Sequence, residues 1–382
     1  MIRKICVFVG SRANYSSIKS AMLAINEHPN LELQLVLGAS ALLDRYGLVS
    51  ELIKADGFKI SGEVYMLLEG ETPTTMAKST GIGLMELPTV FERLQPDIVL
   101  TVGDRFETMA TTIAASYMNI PVAHTMGGEV TGTIDESIRH AVTKFAHIHF
   151  PASKDAKNRI IKLGEREKDV YHVGCPRIDL VKEILNNKNI DESFMNEGVG
   201  SKIDINKPFL LVSQHPVTTE YGNGESQIEI TLNAVRRMGY PSIVLWPNAD
   251  AGSDDIARGI RKYREKNSDD SMHLFKNLPV NVYIQLMSKT LCLVGNSSSG
   301  IREGAFIGTP VVNIGSRQVM RERGKNVIDA SYNEIEILKA IKKQIKNGVY
   351  PKEYIYGDGN AGVKIANILS KCTWNIQKRI TY

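Results

Sequence analysis

Hydroxyl and charged side chains are concentrated in one short segment, residues 295–305, which reads GNSSSGIREGA and opens a helical pattern after an apolar run. The start of a helix offers unpaired backbone N–H groups and the positive end of the helix dipole, both of which attract anions. Ser297 and Ser298 are therefore candidate ligands for a diphosphate, and Glu303 could accept hydrogen bonds from ribose hydroxyls. Arg317 adds a guanidinium after the next apolar run. A capping serine would explain one of these residues, but not the whole group.

Carboxylates form a second group, in which Asp104 and Arg105 directly follow the apolar run 97–102, and Glu129 and Asp135 lie in the glycine-rich loop after the next run. Two positioned carboxylates can act as a general base and a general acid. Asp104 could instead cap the following helix, and either Asp135 or Glu136 could serve only as an N-terminal acid favoured by the helix dipole.

Single polar residues follow three further apolar runs. His215 is the best candidate for a group that titrates near neutral pH, with a structural histidine as the alternative. Arg12 lies in the segment GSRANY, which follows the first apolar run. There it could bind an anion or simply be solvated. Asn248 and Asp250 end another run and are candidate substrate ligands.

Metal and cofactor sites are not expected. His140, His147 and His149 lack the helical spacing that would place all three on one face, and no supporting residues can be identified around them. The four cysteines are scattered, which favours reduced thiols in a cytoplasmic protein.

The pattern of elements predicts the α/β class, because short apolar runs alternate with helical patterns throughout the 382 residues. The predicted strands are 5–9, 31–37, 97–102, 122–124, 148–150, 170–173, 209–212, 242–246, 272–275, 291–294 and 311–314. The predicted helices include 15–25, 76–94, 108–118, 136–146, 227–238, 255–266, 301–307 and 335–345. The polar run within 182–207 predicts a domain junction, with domains at 1–182 and 183–362 and a C-terminal helix at 363–382.

The overall composition excludes several classes of function. The net charge of +4 is small and its basic residues are dispersed, so a nucleic-acid partner is not expected. No apolar run approaches the roughly 20 residues that a membrane-spanning helix needs. The composition still allows local positive charge that could bind phosphates.

The motifs, taken in order, resemble those of the hydrolysing UDP-N-acetylglucosamine 2-epimerases of sialic-acid biosynthesis. The resemblance rests on Gly-Ser-Arg-x-x-Tyr, Gly-Asp-Arg, Gly-Gly-Glu-Val-x-Gly-Thr-Ile-Asp-Glu-Ser-Ile-Arg-His-Ala, Gln-His-Pro-Val-Thr-Thr, Pro-Asn-x-Asp-x-Gly-Ser, Gly-Asn-Ser-Ser-x-Gly-Ile-Arg-Glu and Gly-Ser-Arg-Gln. It implies the GT-B fold, in which two Rossmann-like domains face each other across a cleft, the second domain holds most of the nucleotide, and the C-terminal helix packs back on the first. It also implies a homodimer.

The resemblance further implies roles for individual residues. Asp104 and Asp135 would be acid/base groups, with His215 in the cleft. Ser297, Ser298, Arg12 and Arg317 would hold the diphosphate of UDP, and Glu303 the ribose. The implied reaction expels UDP from UDP-N-acetylglucosamine, passes through 2-acetamidoglucal and releases N-acetylmannosamine.

One position departs from this resemblance, because many relatives have a glutamate where this chain has Met126. Glu129, three residues later, could take over its proton. Three alternatives stay open: the same reaction on UDP- or GDP-linked diacetylbacillosamine for legionaminic acid, a glycosyltransferase of the same fold, and a non-catalytic sugar-nucleotide sensor.

Overall fold

The computed structural model describes residues 2–44, 49–70, 72–131, 134–187, 190, 192–247, 252–267 and 271–381. The chain divides into two compact units. Unit 1 contains Met1–Glu129, Asp135–Leu180 and Tyr356–Tyr382, and unit 2 contains Val130–Ile134 and Val181–Ile355. The domain boundaries near residues 182 and 362 remain predictions from the sequence.

Unit 1 is built on a six-stranded parallel sheet in the order β3-β2-β1-β4-β5-β6. Its strands are β1 (Arg3–Val9), β2 (Leu31–Gly38), β3 (Ile60–Val64), β4 (Ile98–Val102), β5 (Val122–Thr125) and β6 (Ile148–Phe150). Its helices are α1 (Arg12–Glu27), α2 (Val49–Ala55), α3 (Pro73–Leu94), α4 (Phe106–Tyr117), α5 (Asp135–Phe145), α6 (Lys154–Lys162) and α13 (Ala361–Lys371); α7 (Pro176–Asn186) begins in this unit.

Unit 2 repeats this design with a second six-stranded parallel sheet, in the order β12-β11-β10-β7-β8-β9. Its strands are β7 (Leu210–Ser213), β8 (Ser242–Leu245), β9 (Met272–Phe275), β10 (Cys292–Gly295), β11 (Val311–Ile314) and β12 (Val327–Ala330). Its helices are α8 (Gly224–Arg236), α9 (Ser253–Asn267), α10 (Val280–Lys289), α11 (Ser298–Ile307) and α12 (Glu334–Asn347). The two parallel sheets confirm the predicted α/β class.

Burial of the strands explains their composition. Every residue of β4, β5, β7 and β10 is buried, and β4 reads Ile-Val-Leu-Thr-Val. Strands covered by helices on both faces favour such continuous β-branched and apolar runs over an alternating pattern.

The four cysteines are also buried and form no disulfide, and burial raises the pKa of Cys6 to about 12.

Each sheet has one point where the strand order reverses, between β1 and β4 in unit 1 and between β7 and β10 in unit 2. Ligands of open parallel sheets bind outside the carboxyl ends of the strands at such a switch point. The four strand ends carry four of the predicted polar segments, which begin at Gly10, Gly103, Gln214 and Asn296. The topology therefore gives each unit one candidate ligand site.

The predicted set of strands differs from the structure at three places. Segment 170–173 is not a strand, since only Val170 bridges to His149 and the chain then turns at Gly174, where φ is +91°. The strands β3 and β12 were not predicted. Both are edge strands, and their short sequences ISGEV and VIDA include polar residues that an edge accepts and a central strand excludes.

Candidate active site

Asn14 connects the two strand ends at the switch point of unit 1. Its side chain accepts a hydrogen bond from the backbone N–H of Gly10 at 3.4 Å and donates one to the carbonyl of Val102 at 3.5 Å. Helix α1 begins directly after the turn, because the Ser11 hydroxyl caps it by accepting from the N–H of Asn14 at 3.1 Å. The turn is thus held against the end of β4.

Arg12 is the first residue of α1, so the helix begins three residues earlier than the predicted helix 15–25. Partial burial lowers the pKa of its guanidinium. Within the part of the chain that the structure describes, no acidic side chain or hydrogen-bond acceptor engages that guanidinium. A half-buried positive charge at the end of β1 is therefore available for an anion.

Asp104 forms an ion pair with Arg139, which lies on α5 and is 1% exposed. Arg139 also donates from Nη1 to the carbonyl oxygen of Glu129 at 2.8 Å. One buried guanidinium thereby connects the loop after β4 to the glycine-rich loop after β5. The alternative that Asp104 caps α4 is not observed, because Arg105 is the N-cap residue and it makes no side-chain capping bond.

The glycine-rich loop after β5 adopts a backbone that few side chains tolerate. Met126 is buried with φ of +61°, a left-handed conformation that is uncommon outside glycine. Gly128 has φ of +75°, and a Cβ there would lie 2.4 Å from the carbonyl oxygen of Ala156. Glu129 follows in the same loop and is 4% exposed. The sequence accordingly requires glycine where the chain passes closest to α6.

His124 lies beneath this loop and is not available as a general base near neutral pH. Burial lowers the pKa of His124 to about 3. Its Nε2 lies 2.7 Å from the carbonyl oxygen of Gly103, and its Nδ1 lies 3.3 Å from the Thr143 hydroxyl. A neutral ring that donates from Nε2 and accepts at Nδ1 satisfies both contacts. His124 thus holds the backbone immediately before Asp104.

Glu107 is a buried carboxylate in the first turn of α4, with 1% of its side chain exposed. Its Oε1 accepts from Nε of Arg105 at 2.9 Å. A Cβ added to Gly10 would lie 2.5 Å from Cγ of Glu107, so the carboxylate packs directly on the turn after β1.

Asp135 and Glu136 form the acidic first turn of α5, where both are half-buried. Arg139 lies four residues after Asp135 and therefore on the same face of the helix. Arg139 is therefore common to the three predicted carboxylates. It pairs with the side chain of Asp104 and donates to the backbone carbonyl of Glu129, and Asp135 lies one helical turn before it. The geometry brings the three predicted carboxylates of unit 1 to one end of its sheet.

In unit 2, helix α11 begins at the end of β10, as the sequence indicated. Ser297 is its N-cap, and its hydroxyl lies 2.8 Å from that of Ser299. The Ser299 hydroxyl in turn lies 2.6 Å from the Tyr283 hydroxyl. Ser297 and Ser298 are half-buried, and no acidic residue occupies the first turn. The helix start therefore presents hydroxyls and N–H groups without a competing negative charge.

Glu303 is buried on α11, but it lies in the second turn, slightly farther along the helix than predicted. Gly295, the last residue of β10, has φ of +136°, and a Cβ there would lie 2.1 Å from the Ser213 carbonyl oxygen. This glycine allows β7 and β10 to approach each other at the switch point.

Asn296 organises the loops of unit 2. Its carboxamide exchanges hydrogen bonds with the backbone of His215, accepting from N–H at 2.7 Å and donating to the carbonyl at 2.8 Å. Its own carbonyl accepts from Arg317 Nη1 at 3.3 Å and from Gln318 Nε2 at 3.0 Å. His215 and Arg317 are thereby held next to the start of α11.

Some predicted residues cannot be placed. Asn248 and Asp250 lie outside the described residues.

Over the ranges that are described, no group of three or more His, Cys, Asp or Glu side chains could hold a metal ion. The same residues include no helix with the length and apolar character required to cross a bilayer.

Four side chains that the sequence interpretation did not assign hold the candidates in place: His124, Arg139, Glu107 and Asn296. A signal existed for Arg139, which stands four residues after Asp135 on an amphipathic helix. Asn296 stood inside a predicted motif but was given no role of its own. His124 and Glu107 carried no signal, because His124 contacts the loop after another strand and Glu107 packs on Gly10, which is distant in the sequence.

The chain is similar to several known proteins. The profile of the family described as UDP-N-acetylglucosamine 2-epimerase matches residues 23–370. A UDP-N,N'-diacetylbacillosamine 2-epimerase (hydrolyzing) of Legionella pneumophila is 34% identical, over 97% of this chain and 96% of the relative. A GDP/UDP-N,N'-diacetylbacillosamine 2-epimerase (hydrolyzing) of Campylobacter jejuni is 32% identical, over 87% and 86%. A UDP-N-acetylglucosamine 2-epimerase of Neisseria meningitidis is 27% identical, over 99% and 98%.

Solved structures show the same fold. The crystal structure of UDP-GlcNAc 2-epimerase from Neisseria meningitidis bound to UDP-GlcNAc matches with a TM-score of 0.80 at 20% identity, over 96% of this chain and 99% of that one. The fold is thus of the GT-B type, with two Rossmann-like units.

Proposed function

Because the chain belongs to the UDP-N-acetylglucosamine 2-epimerase family, we propose that it is a hydrolysing 2-epimerase that acts on UDP-N,N'-diacetylbacillosamine and releases UDP and the free sugar inverted at carbon 2. The observation that carries this proposal is the 34% identity to the Legionella pneumophila enzyme over nearly the full length of both chains. The polar groups at both switch points supply the chemistry that such a reaction needs.

The choice of substrate differs from the first expectation. The motifs favoured UDP-N-acetylglucosamine, with N-acetylmannosamine as the product. Two hydrolysing diacetylbacillosamine 2-epimerases are 34% and 32% identical to this chain, whereas the meningococcal UDP-N-acetylglucosamine 2-epimerase is 27% identical. These identities support the alternative substrate over the first.

The start of α11 would hold the diphosphate. Ser297 and Ser298 present hydroxyls and N–H groups at the positive end of the helix dipole, and Arg317 lies beside them on the carbonyl of Asn296. Negative charge develops on UDP as it leaves, so fixed positive groups here lower the barrier. Arg12 of unit 1 is a further candidate ligand because its charge has no partner among the described residues.

Four further residues are proposed to contact the substrate. Glu303 would accept hydrogen bonds from the ribose, as acidic residues do in other nucleotide sites. Asn248 and Asp250 stay predicted substrate contacts. Arg105, at the end of β4, is proposed to meet the anionic part of the substrate.

The carboxylates of unit 1 would move the protons. Carbon 2 of the sugar is not adjacent to a carbonyl, so its proton can leave only together with the leaving group. A base takes that proton, the C–H electron pair becomes the double bond between carbons 1 and 2, and the bond from carbon 1 to the UDP oxygen breaks. An acid then protonates carbon 2 on the opposite face while the oxygen of water bonds to carbon 1 and a carboxylate takes the proton that this water loses. Asp104, Glu129 and Asp135 are the proposed acid and base groups.

Met126 determines which carboxylate carries the second proton. Methionine cannot transfer a proton, and its backbone leads within three residues to the buried Glu129. Arg139 donates a hydrogen bond to the carbonyl of Glu129, which restrains the backbone of the loop at this residue. We therefore assign a larger role to Glu129 here than in relatives with glutamate at position 126. His215 is proposed to contact the substrate near the departing phosphate.

The test is proton NMR of the purified protein in deuterated water, with UDP-N,N'-diacetylbacillosamine and UDP-N-acetylglucosamine in separate reactions. The proposal predicts UDP and a free 2-epimer carrying deuterium at carbon 2, with a higher kcat/KM for the diacetylbacillosamine substrate. A free sugar that retains its carbon 2 proton and configuration would indicate simple hydrolysis. Recovery of both sugar nucleotides intact would indicate a sensor.

A further inference from the structure

Glu107 is a buried carboxylate at the switch point of unit 1 that the proposed reaction does not use. Its Oε2 is buried and has no hydrogen-bond partner among the residues the structure describes. An oxygen of an ionised side chain buried in this way costs free energy, because hydration is lost and not replaced. Stability alone therefore gives no reason for a glutamate here, and an apolar side chain would fill the space at lower cost.

The single pairing of Glu107 controls the direction of Arg105. The carboxylate engages Nε at 2.9 Å, and this contact fixes the plane of the guanidinium. Arg105 is 37% exposed and precedes α4, so the contact with Glu107 restrains a long side chain that lies partly in solvent. Glu107 itself is fixed, since it belongs to the helix and packs against Gly10.

The same carboxylate also lies against the loops that carry two basic residues. Arg105 follows β4 and Arg12 follows β1, and Glu107 packs on the turn that leads into Arg12. The carboxylate therefore contacts both loops of this switch point.

We infer that Glu107 is a positioning residue, which acts through Arg105 to hold its guanidinium in the orientation that meets the negatively charged part of the substrate. This inference rests on the proposed function for the identity of the substrate. It assigns Glu107 no proton transfer and no contact with the reacting atoms.

The experiment is a double-mutant cycle with Glu107→Gln, Arg105→Met and the double variant, measured as kcat/KM and as Tm. Each single change should lower kcat/KM by about tenfold or more. The double variant should be no slower than the slower single variant, because Arg105→Met removes the guanidinium and Glu107→Gln removes the carboxylate that orients the same guanidinium. Additive losses, or kcat/KM of the parent in Glu107→Gln, would overturn the inference.

A second variant separates positioning from a structural role. Glu107→Met should keep Tm within about 4 °C of the parent, because it removes a buried carboxylate whose Oε2 has no hydrogen-bond partner among the described residues, and Arg105 is already 37% exposed. It should still lose kcat/KM like Glu107→Gln. A large fall in Tm that accompanies the loss of activity would show that Glu107 is structural, and would contradict the inference.

Glu165→Gln is the matched control. Glu165 is 5% exposed and accepts from Lys144 at 2.6 Å and from His149 at 3.1 Å, at the opposite end of α5 from Asp135. Its replacement should lower Tm and leave kcat/KM near that of the parent. Should the parent release no UDP from either sugar nucleotide, the proposed reaction fails, and the same cycle is measured as the Kd for the intact sugar nucleotide. Coupling between Glu107 and Arg105 in that Kd would support the positioning role, and independent effects would refute it.

Discussion

The carboxamide of Asn296 and the backbone of His215 exchange two hydrogen bonds across the switch point of unit 2, at 2.7 and 2.8 Å. This pair fixes the loop after β7 to the start of α11, so that the candidate histidine and the candidate phosphate-binding helix have a constant separation. Asn296 is completely buried, which means that neither bond is weakened by competing water.

Asn296→Asp should weaken UDP binding. The substitution keeps the shape of the side chain, removes its donor to the His215 carbonyl and adds a negative charge beside the proposed diphosphate. We expect the Kd for UDP to rise by about tenfold or more, measured by calorimetry. Gln344→Glu is the control, because this amide is equally buried and donates to the carbonyls of Val311 and Asn326. It should lower Tm without changing the Kd.

Ser298→Ala and Arg317→Ala should each weaken UDP binding by about 1–3 kcal/mol, since both side chains are proposed to meet the diphosphate. Arg237→Ala removes an exposed arginine of the same unit, paired with Glu334, and should leave the affinity unchanged. Calorimetry with UDP measures all three. Parent-like affinity in both site variants would place the phosphate elsewhere.

Asp104→Asn, Glu129→Gln and Asp135→Asn should lower kcat by about 10²–10⁴ with nearly unchanged Kd for UDP, because a lost acid or base affects the chemical step and not the leaving group. Asp97→Asn changes an exposed carboxylate next to the opposite end of β4 and should have no such effect.

Met126→Glu tests whether Glu129 replaces a missing carboxylate. We expect little gain in kcat, since Glu129 already does this work. A manyfold rise in kcat, together with parent-like turnover of Glu129→Gln, would mean that nothing has replaced the glutamate and that the chain is a slowed enzyme or a sensor.

Acid should destabilise the protein, with His124 as one cause. Burial lowers the pKa of His124 from 6.5 to about 3, so below pH 6.5 the unfolded chain takes up a proton that the folded chain excludes. Stability therefore falls as pH drops from 6.5 toward 3, by about 2 kcal/mol between pH 6.5 and pH 5 from this residue.

His124→Gln should reduce this acid sensitivity, because glutamine can still donate to the Gly103 carbonyl but does not titrate. Urea unfolding at several pH values measures the slope. His172→Gln, at an exposed position, is the control and should keep the slope of the parent. An unchanged slope in His124→Gln would contradict the assignment.

Activity should survive a chelator. No metal-ligand group is found among the described side chains, and the proposed charge stabilisation comes from α11 and the arginines. Turnover is compared before and after EDTA and dialysis. Loss of activity that a divalent ion restores would reveal a metal requirement.

The sequence alone determined the class of fold and the position of most strands, because buried parallel strands must be continuous apolar runs and are therefore visible as composition. It also located the start of α11 and the carboxylates Asp104, Glu129 and Asp135, since ligands of such sheets meet residues that directly follow strands. The edge strands β3 and β12 escaped detection because an edge tolerates polar residues.

Only the tertiary structure decided which candidates meet and what holds them. Arg139 pairs with Asp104 from a position 35 residues later, His124 contacts the carbonyl of Gly103, and Asn296 contacts the backbone of His215 from 81 residues later. These contacts join separate strands and depend on the order of strands in the sheet, which no local pattern encodes. Burial decided the rest: it sets the pKa of His124 to about 3 and leaves Glu107 with one unsatisfied oxygen among the described residues, because the cost of a buried charge depends on every group that surrounds it.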